Sequence, residues 1–544
     1  MMRFGCCPSL TIPCPPAVQK MTSRILSSAS LVNPEAEDCQ SLEEAPTWLA
    51  LWTILGYAVL TLFGYARDFF RRIGWLTGAP VETKRHKDFP PLYGGFECMY
   101  TREIYMRIRD CWSRPITGVP GPYLKLLHRI SLDNNWTYKN TGRIKVAANF
   151  GSYNYLGFAE SSGGPPAAAK AAIRSQGLSA PLHSFRSRAT MELEEELAAF
   201  LGVEAAVVFP MGFATNAMNL PALLGKVRQG SLVLSDELNH SSLIQGCKLT
   251  HGVTKRLFRH NDMGDLESKL REALLHGQAR TRRPFRKVLI IVEGVYSMEG
   301  TIVNLPAVLT LAKRYKAYVY LDEAHSIGAL GVRGRGVVDY WGCDPRDVDV
   351  LMGTFTKSFG AAGGYIAGSK ALVHHIRALG QGSCYGAGMS PPVAAQTTAA
   401  LRIIAGKDDS SQGSLFSARA PGLDPSGAER LERLLRNSRY FRRRLKAEGF
   451  IVLGHRDSPV IPLMLYTAPA LPLFSRRMLE EHSTAVVVVG FPATPLTTGR
   501  ARFCVSASHT PQMIDKVVQG ISELGDELGL KQSRRPRCQF PIVY

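Results

Sequence analysis

Short apolar runs alternate with longer segments of helical periodicity from about residue 146 onwards. Five of the runs are short enough to be buried strands, and they lie at 205–209, 231–235, 288–292, 317–321 and 348–352. This alternation predicts an α/β fold with a mainly parallel sheet. Ligands of such sheets bind beside the carboxyl ends of the strands, so we expect the functional residues directly after these runs.

A second unit follows a loop-like segment. Residues 406–427 are rich in Ser, Gly, Pro and Ala, and this composition predicts an inserted loop. A basic helical pattern at 428–448 comes next, followed by strand patterns near 451 and at 460–466, 484–489 and 502–507. We therefore expect a large domain at 146–405, a smaller α+β domain at 428–530 and an exposed basic tail at 531–544.

The N-terminal part contains twenty residues without a charge, at 47–66. As a helix they would span about 30 Å, which matches the hydrocarbon core of a bilayer. Acidic residues precede this stretch and Lys and Arg follow it, so the positive-inside rule predicts a single-pass helix with the body in the cytosol. A buried globular helix, or one that lies in the membrane interface, also fits. We expect residues 1–46 to be poorly ordered and 67–145 to form a membrane-proximal arm.

The net charge of +20 would suit a nucleic-acid partner. The sequence Asp-Glu-Ala-His at 322–325 also matches the acidic motif of a helicase. A helicase needs a phosphate-binding loop, however, and Lys357-Ser358 is preceded by Thr356 rather than by Gly. We therefore expect no nucleic acid and assign the positive charge to a membrane lipid surface. The eleven cysteines have no zinc spacing, so we expect no metal.

Two residues carry the candidate chemistry. Lys357 follows the last predicted strand of the large domain and stands before a glycine-rich loop, where a lysine can form a Schiff base. Asp322 follows the strand at 317–321. A Schiff-base lysine with an acid beside the pyridine nitrogen is the recurring arrangement in pyridoxal 5'-phosphate (PLP) enzymes. The pair predicts PLP as the cofactor.

Four motifs resemble one family. They are Ser-Asp-Glu-Leu-Asn-His at 235–240, Glu-Gly-Val-Tyr-Ser-Met-Glu-Gly at 293–300, Gly-Thr-Phe-Thr-Lys-Ser-Phe-Gly at 353–360 and Val-Gly-Phe-Pro-Ala-Thr-Pro at 489–495. Over roughly 67–530 the chain resembles the α-oxoamine synthases, PLP enzymes of fold type I that condense an amino acid with an acyl-CoA. Within that family the motifs are most similar to the cofactor-bearing subunits of the serine palmitoyltransferase branch.

The resemblance implies roles around the cofactor. Lys357 would carry it and return as the base, and Asp322 would hold the pyridine nitrogen protonated. His325 would hydrogen-bond the phenolic oxygen, and His240 would stack on the ring. The residues expected near the phosphate or the ring are Gly212, Phe213, Thr354 and Ser297.

The resemblance also implies substrate contacts. Arg500 would bind the substrate carboxylate, with Arg502 as the alternative, because residues two apart on a strand share a face. Thr494 belongs to Pro-Ala-Thr-Pro at 492–495, which is similar to a mobile loop of the family; a simple structural turn is the alternative.

The implied reaction is the decarboxylating condensation of L-serine with a long-chain acyl-CoA to 3-ketosphinganine, the first step of sphingolipid synthesis. The implied setting is the endoplasmic reticulum membrane, with a PLP-free paralogous subunit and small membrane regulatory subunits as partners.

The segment 161–190 departs from the family pattern, so a catalytically impaired or regulatory subunit is an alternative. Another α-oxoamine synthase that uses a different amino acid is the second alternative. The soluble 5-aminolevulinate synthases and glycine C-acetyltransferases share the cofactor residues, but the uncharged stretch at 47–66 argues against both.

Overall fold

The computed structural model describes residues 43, 46–76, 88–90, 95–180, 186–225, 230–407, 426–535 and 542–544. The predicted disorder of 1–46 and the predicted inserted loop at 406–427 lie almost wholly outside these residues.

The described chain forms strands and helices that alternate through its middle part. The strands are β1 (Ile116–Thr117), β2 (Tyr123–Ile130), β3 (Lys139–Asn149), β4 (Ala205–Phe209), β5 (Ser231–Asp236), β6 (Val253–Phe258), β7 (Lys287–Glu293), β8 (Tyr318–Asp322), β9 (Val350–Thr354), β10 (Gly364–Gly368), β11 (Val460–Tyr466), β12 (Thr484–Ala485), β13 (Val487–Val489) and β14 (Gly499–Cys504).

The α-helices are α1 (Thr47–Arg72), α2 (Phe96–Tyr100), α3 (Gly164–Gln176), α4 (Arg188–Leu201), α5 (Gly212–Leu224), α6 (Ser241–Lys248), α7 (Met263–His276), α8 (Leu305–Tyr315), α9 (Val337–Trp341), α10 (Lys370–Leu379), α11 (Gln381–Cys384), α12 (Pro391–Ile404), α13 (Gly427–Ala447), α14 (Ala470–Glu480) and α15 (Pro511–Glu527). A π-helical turn at Thr101–Tyr105 and a 3-10 helix at Met106–Cys111 follow α2.

A seven-stranded sheet forms the centre of the large unit. Its strand order is β4-β10-β9-β8-β7-β5-β6. The strands from β9 to β6 are parallel, whereas β10 is antiparallel to both of its neighbours. The predicted strand at 205–209 is confirmed without a shift, and the other four are confirmed within two residues. Because β5, β7, β8 and β9 run parallel, their carboxyl ends meet at one edge of the sheet.

The smaller C-terminal unit has its own core. An antiparallel sheet in the order β11-β14-β13 packs with α13, α14 and α15 around buried side chains such as Phe441, Phe474 and Phe503. The helix predicted at 428–448 is confirmed as α13. We propose the limits 146–405 and 428–530 for the two domains.

Three details of the C-terminal part differ from the predictions. The strand predicted at 502–507 is wrong by three residues, because β14 spans Gly499–Cys504 in register with β11 and the chain then turns towards Phe150. The stretch at 484–489 is divided between β12 and β13. Part of the tail is not exposed, because the Tyr544 hydroxyl donates to Asn437 Oδ1 at 2.8 Å.

The region predicted as an arm contains a regular sheet. Strands β1, β2 and β3 form an antiparallel unit, and β3 pairs in parallel with β12 of the small domain. On the inner face Leu124 and Leu126 pack on Ala485. The segment is therefore joined to the body by a shared sheet as well as by the chain.

Helix α1 is longer than the uncharged stretch that predicted it. It continues through Arg67 to Arg72, because Asp68 and Arg71 form buried ion pairs with the body. It is long and apolar enough to cross a membrane, and most of its apolar part is not buried in the protein.

Candidate active site

Asp322 ends β8 at the edge of the sheet where the parallel strands terminate. Its carboxylate is buried, and Oδ2 accepts a hydrogen bond from Asn216 Nδ2 at 2.7 Å. Oδ1 accepts from the backbone N–H of Ala324 at 2.8 Å, and the Tyr320 hydroxyl donates to Asn216 Oδ1. These contacts fix the direction of a buried acid, which suits it to receive a protonated ring nitrogen.

Lys357 lies in the loop between β9 and β10. Phe355 and Phe359 flank it and are fully buried, so the loop is fixed by the core on both sides of the lysine. At Gly360, with φ of 59°, a Cβ would lie 2.5 Å from backbone atoms of residues 158 and 159, so only glycine fits this close approach. The local sequence therefore holds the lysine at the sheet edge.

The surroundings of Lys357 change its basicity. The pKa of the amine is lowered from 10.5 to about 8, chiefly by burial; Arg502 acts in the same direction, and Asp322 and Glu293 oppose the shift. The Nζ atom lies 5.7 Å from the centroid of the Tyr153 ring. A sizeable share of the amine is neutral near pH 8, as a nucleophile or a base requires.

Two histidines lie close to this pair. The Tyr155 hydroxyl is 2.8 Å from His325 Nδ1, and burial together with the positive charge of Lys357 holds the pKa of His325 well below its usual value. His240 precedes α6, and its Nδ1 accepts from the backbone N–H of Ser242, so the proton of the neutral ring is on Nε2. Partial loss of water lowers the pKa of His240. Both rings are therefore neutral at pH 7.

The first turn of α5 offers an anion site. Gly212 and Phe213 are its first residues, and the N–H groups of a first helical turn lack intrahelical partners. A Cβ at position 212 would lie 2.6 Å from Thr354 Oγ1, so the glycine keeps this space open. The Thr354 hydroxyl donates to Gly363 O at 2.8 Å, and it would have to rotate to donate to a phosphate. The residues present fit the phosphate end of PLP.

The two candidate arginines face the same loop but have different neighbours. Arg500 donates to the backbone oxygen of Met298 at 2.9 Å and pairs with Glu299 at 3.3 Å. Arg502 approaches the sulfur of Met298 at 3.6 Å, and its guanidinium carbon lies 4.7 Å from the Tyr153 ring centroid. The shared contact to Met298 confirms that both point to one face. Arg502 lies beside Tyr153, next to Lys357, and Arg500 is already paired.

Ser297 and Thr494 are both buried, in different loops. Ser297 lies in the turn after β7, one residue before Met298. Thr494 follows the Phe491-Pro492 bond, and its backbone N–H donates to Gly490 O at 3.4 Å. Its hydroxyl oxygen is buried without a hydrogen-bond partner among the described residues. A buried hydroxyl without a hydrogen-bond partner among the described residues is suited to bind a substrate atom.

Four further residues belong to this site and were not singled out from the sequence. They are Tyr153, Tyr155, Asn216 and Glu293. Glu293 ends β7 beside Asp322, and burial and that neighbouring charge raise its pKa well above the usual value. Asn216 could have been found as a polar residue one turn into a mainly apolar helix, and Glu293 as the first residue of a quoted motif.

Comparisons with known proteins agree with this arrangement. Residues 145–521 match the family model for aminotransferase class I and II. The chain is 50% identical over 510 residues to human "Serine palmitoyltransferase 3", covering 93% of this chain and 89% of that protein. It is 48% identical over 485 residues to "Serine palmitoyltransferase 2" of Caenorhabditis elegans, covering 88% and 84% respectively.

Solved structures give the same result. The fold matches serine palmitoyltransferase from S. paucimobilis, solved with a bound PLP-myriocin adduct, with a TM-score of 0.65 and 27% identity over 77% of this chain and 94% of that one. A second match, a serine palmitoyltransferase solved with PLP, has a TM-score of 0.64 at 27% identity and the same coverage. The predicted fold type and PLP as cofactor are confirmed. The chain belongs to the serine palmitoyltransferase family of PLP-dependent acyltransferases, which act in sphingolipid synthesis.

Proposed function

We propose that this chain is the cofactor-bearing subunit that condenses L-serine with a long-chain acyl-CoA of the palmitoyl type. Carbon dioxide and CoA leave, and 3-ketosphinganine is the product. The observation that carries the proposal is the buried Lys357 with a pKa of about 8, close to Asp322 and Arg502. The names of the relatives support the same reaction.

The residues described above would hold PLP at both of its ends. When bound, PLP supplies an electron sink for negative charge that develops at the α-carbon of the amino acid. The contacts that we propose follow the geometry of the site. They are Lys357 for the covalent link, Asp322 for the ring nitrogen, His325 for the phenolic oxygen, His240 for the ring face, Ser297 for the ring edge, and Gly212, Phe213 and Thr354 for the phosphate.

Lys357 is also the group that we propose to move the proton. Once serine occupies the site, the lysine amine is released and takes the proton from the α-carbon of serine. A base is most effective when its pKa lies near the working pH, and burial has brought this amine to about 8. The same ammonium then returns a proton to the product.

Arg502 is the cation that we propose for the serine carboxylate, in place of Arg500. Its guanidinium lies beside Tyr153 and so close to Lys357, whereas Arg500 already donates to Met298 and Glu299. A guanidinium and a carboxylate form two parallel hydrogen bonds, which would orient the α-carbon as well as bind serine. The buried hydroxyl of Thr494 is a candidate for contact with the second substrate.

The setting that we propose is the endoplasmic reticulum membrane, with α1 as the anchor and the body in the cytosol. An acyl chain of about fifteen carbons gains on the order of 12 kcal/mol on transfer to hydrocarbon, at about 0.8 kcal/mol per CH₂. A membrane location therefore keeps substrate and product close to the site. A single crossing would place residues 43 and 72 on opposite sides, and the contacts of α1 do not favour that arrangement.

A PLP-free paralogous subunit and small membrane subunits are the protein partners that we propose. The alternative of an impaired or regulatory subunit rested on the segment 161–190. Within it, α3 is a regular helix that packs against α12, and residues 181–185 lie outside the described part. The similarity to serine palmitoyltransferases favours the catalytic role over both alternatives.

The test uses the full chain, co-expressed with the PLP-free paralogous subunit and supplied with isotope-labelled serine and palmitoyl-CoA. We expect labelled 3-ketosphinganine by mass spectrometry and a visible cofactor band that changes with serine. Lys357→Ala should lose both, and Lys370→Ala, which changes an exposed lysine, should retain both. Product from Lys357→Ala would contradict the proposal, and turnover with glycine or alanine but not with serine would indicate a different α-oxoamine synthase.

A further inference from the structure

Helix α1 has one face that contacts the body along its whole length. The buried residues recur every three to seven positions and form one stripe, and they are Leu49, Thr53, Tyr57, Gly64, Asp68 and Arg71. This spacing places them on one side of a helix. The side chains on the other side are exposed.

The start of the helix is bound to the small domain. Leu49 belongs to a buried apolar cluster with Ile451, Met464 and Tyr466. Just before the helix, the carboxylate of Glu43 accepts hydrogen bonds from the Ser533 hydroxyl at 2.8 Å and from the backbone N–H of residue 534 at 2.7 Å. These polar groups belong to the water-exposed side of the protein. The chain that enters α1 therefore starts from the surface of the body.

The end of the helix is bound to the body by charges. Asp68 pairs with Arg102 at 2.6 Å, and Arg71 pairs with Glu103. All four side chains are buried, so each charge depends on its partner. The helix cannot leave this position without separating these two buried ion pairs.

The middle of the helix contacts the candidate substrate loop. Tyr57 belongs to an apolar cluster with Tyr100, and Phe491 and Leu496 pack against this cluster. The Tyr100 hydroxyl donates to the backbone oxygen of Phe491 at 2.8 Å. The stripe is therefore continuous from the first turn of α1 to its last turn.

These contacts decide how α1 can meet a membrane. A helix of 26 residues is about 39 Å long, and a crossing helix of that length has its two ends in water on opposite sides. Here both ends contact one folded body. A body with polar loops does not cross the hydrocarbon core, so both ends of α1 lie on one side.

The exposed face is mainly apolar from Thr47 to Ala66. Its most exposed side chains include Leu51, Trp52, Leu55, Leu62 and Phe63, which are 51–70% exposed. No charged residue occurs between 47 and 66.

Cations follow this face at the end of the helix. Arg72 is exposed, whereas Arg67, with 36% of its side chain exposed, pairs with Glu103 of the body at 3.1 Å. A helix of this kind in the membrane interface normally has its own polar side. In this protein the body takes the place of the polar side.

We propose that α1 lies in the plane of the membrane as a monotopic anchor, with its exposed face in the boundary between headgroups and acyl chains. The residues that precede α1 are then on the same side as the catalytic body. We assign lipid as the occupant because the exposed face lacks the polar rim of a protein interface and because the exposed Arg72 complements anionic headgroups.

The topology test does not depend on the proposed reaction. The full chain carries one tag at each terminus in sealed microsomes, and trypsin is added with and without detergent. We expect both tags to have the same sensitivity in intact vesicles. One protected and one accessible tag would overturn the proposal. A glycosylation acceptor created by Ser28→Asn, which gives Asn-Ala-Ser, adds a second readout, because a glycan there with a trypsin-sensitive C-terminal tag requires a crossing.

The lipid contact is tested with the purified assembly and phosphatidylcholine vesicles, with and without phosphatidylserine. The double change Leu55→Glu and Leu62→Glu should reduce vesicle binding roughly tenfold or more. The matched control is Val332→Glu with Leu275→Glu, two apolar residues on the body that are 60% and 78% exposed, and it should bind like the wild type. Unchanged binding by the α1 variant, or loss of a protein partner with vesicle binding retained, would overturn the assignment.

Discussion

Replacement of each arginine of β14 by glutamine, one at a time, should affect a different property of the protein. Arg502→Gln removes a cation that lies 4.7 Å from the Tyr153 ring centroid, and Tyr153 in turn lies 5.7 Å from Lys357 Nζ. Arg500→Gln removes a cation that donates to Met298 O and to Glu299. The first change should affect serine binding and the second should affect stability.

The magnitudes follow from these contacts. Loss of a buried, hydrogen-bonded charge pair with a substrate costs about 2–4 kcal/mol, so the KM for serine should rise about 30-fold to 1,000-fold in Arg502→Gln. In Arg500→Gln the partly buried Glu299 loses its partner, which costs about 2–3 kcal/mol and lowers Tm by about 2–3 °C in a chain of this length. The KM of this second variant should change about threefold or less, because Arg500 is not the proposed ligand of the serine carboxylate. A tenfold change would need a loss of about 1.4 kcal/mol in binding free energy.

The assay combines steady-state kinetics in serine, at fixed palmitoyl-CoA, with thermal unfolding of the same preparations. Titration of the visible cofactor band with serine gives the binding constant without turnover. The reasoning is refuted if Arg500→Gln raises the serine KM while Arg502→Gln leaves it unchanged. Equal losses of Tm in both variants, with no change of KM, would also refute it.

Three further changes test other parts of the structure. PLP uptake by the apo chain should accelerate with pH and level off above about 8, because only the neutral Lys357 amine attacks the aldehyde; a rate that still rises tenfold per pH unit near pH 10 would contradict this. Burial lowers the pKa of His509 from 6.5 to about 4, so the unfolded state binds the proton first as pH falls, and about 2 kcal/mol of stability should be lost between pH 7 and pH 5. Urea unfolding should show a smaller loss in His509→Gln. Gly64→Leu should lower Tm, because a Cβ there would lie 2.6 Å from Met99 Sδ, whereas Gly56→Leu, with nothing within 4 Å, should not.

The large domain could be predicted from the sequence because its signals are local. The parallel strands β5, β7, β8 and β9 are short, mainly apolar runs that end in a polar residue, and the bounds predicted for β4 are those that the structure has. The position of Lys357 and Asp322 at neighbouring strand ends follows from the same rule. The roles of the individual site residues stay predictions.

Other features depend on contacts between distant parts of the chain. The sheet of β1, β2, β3 and β12 joins residues far apart in sequence, and the first six residues of β3 are all exposed, so that part of the strand has no buried face. The choice between Arg500 and Arg502 depends on Glu299, which lies two hundred residues earlier. Neighbours of this kind have no signature in spacing, so sequence reasoning favoured Arg500 and kept Arg502 as the alternative.

The two-sided character of α1 has a practical consequence for the production of a soluble enzyme. Deletion of the helix would leave Arg102 and Glu103 without the partners Asp68 and Arg71 and would uncover the apolar cluster around Tyr100. A truncated chain would therefore gain a defect beside the substrate loop while it lost its anchor. Retention of the helix with polar residues on its outer face alone would keep the inner contacts, and it is the design that this architecture recommends for work in detergent-free solution.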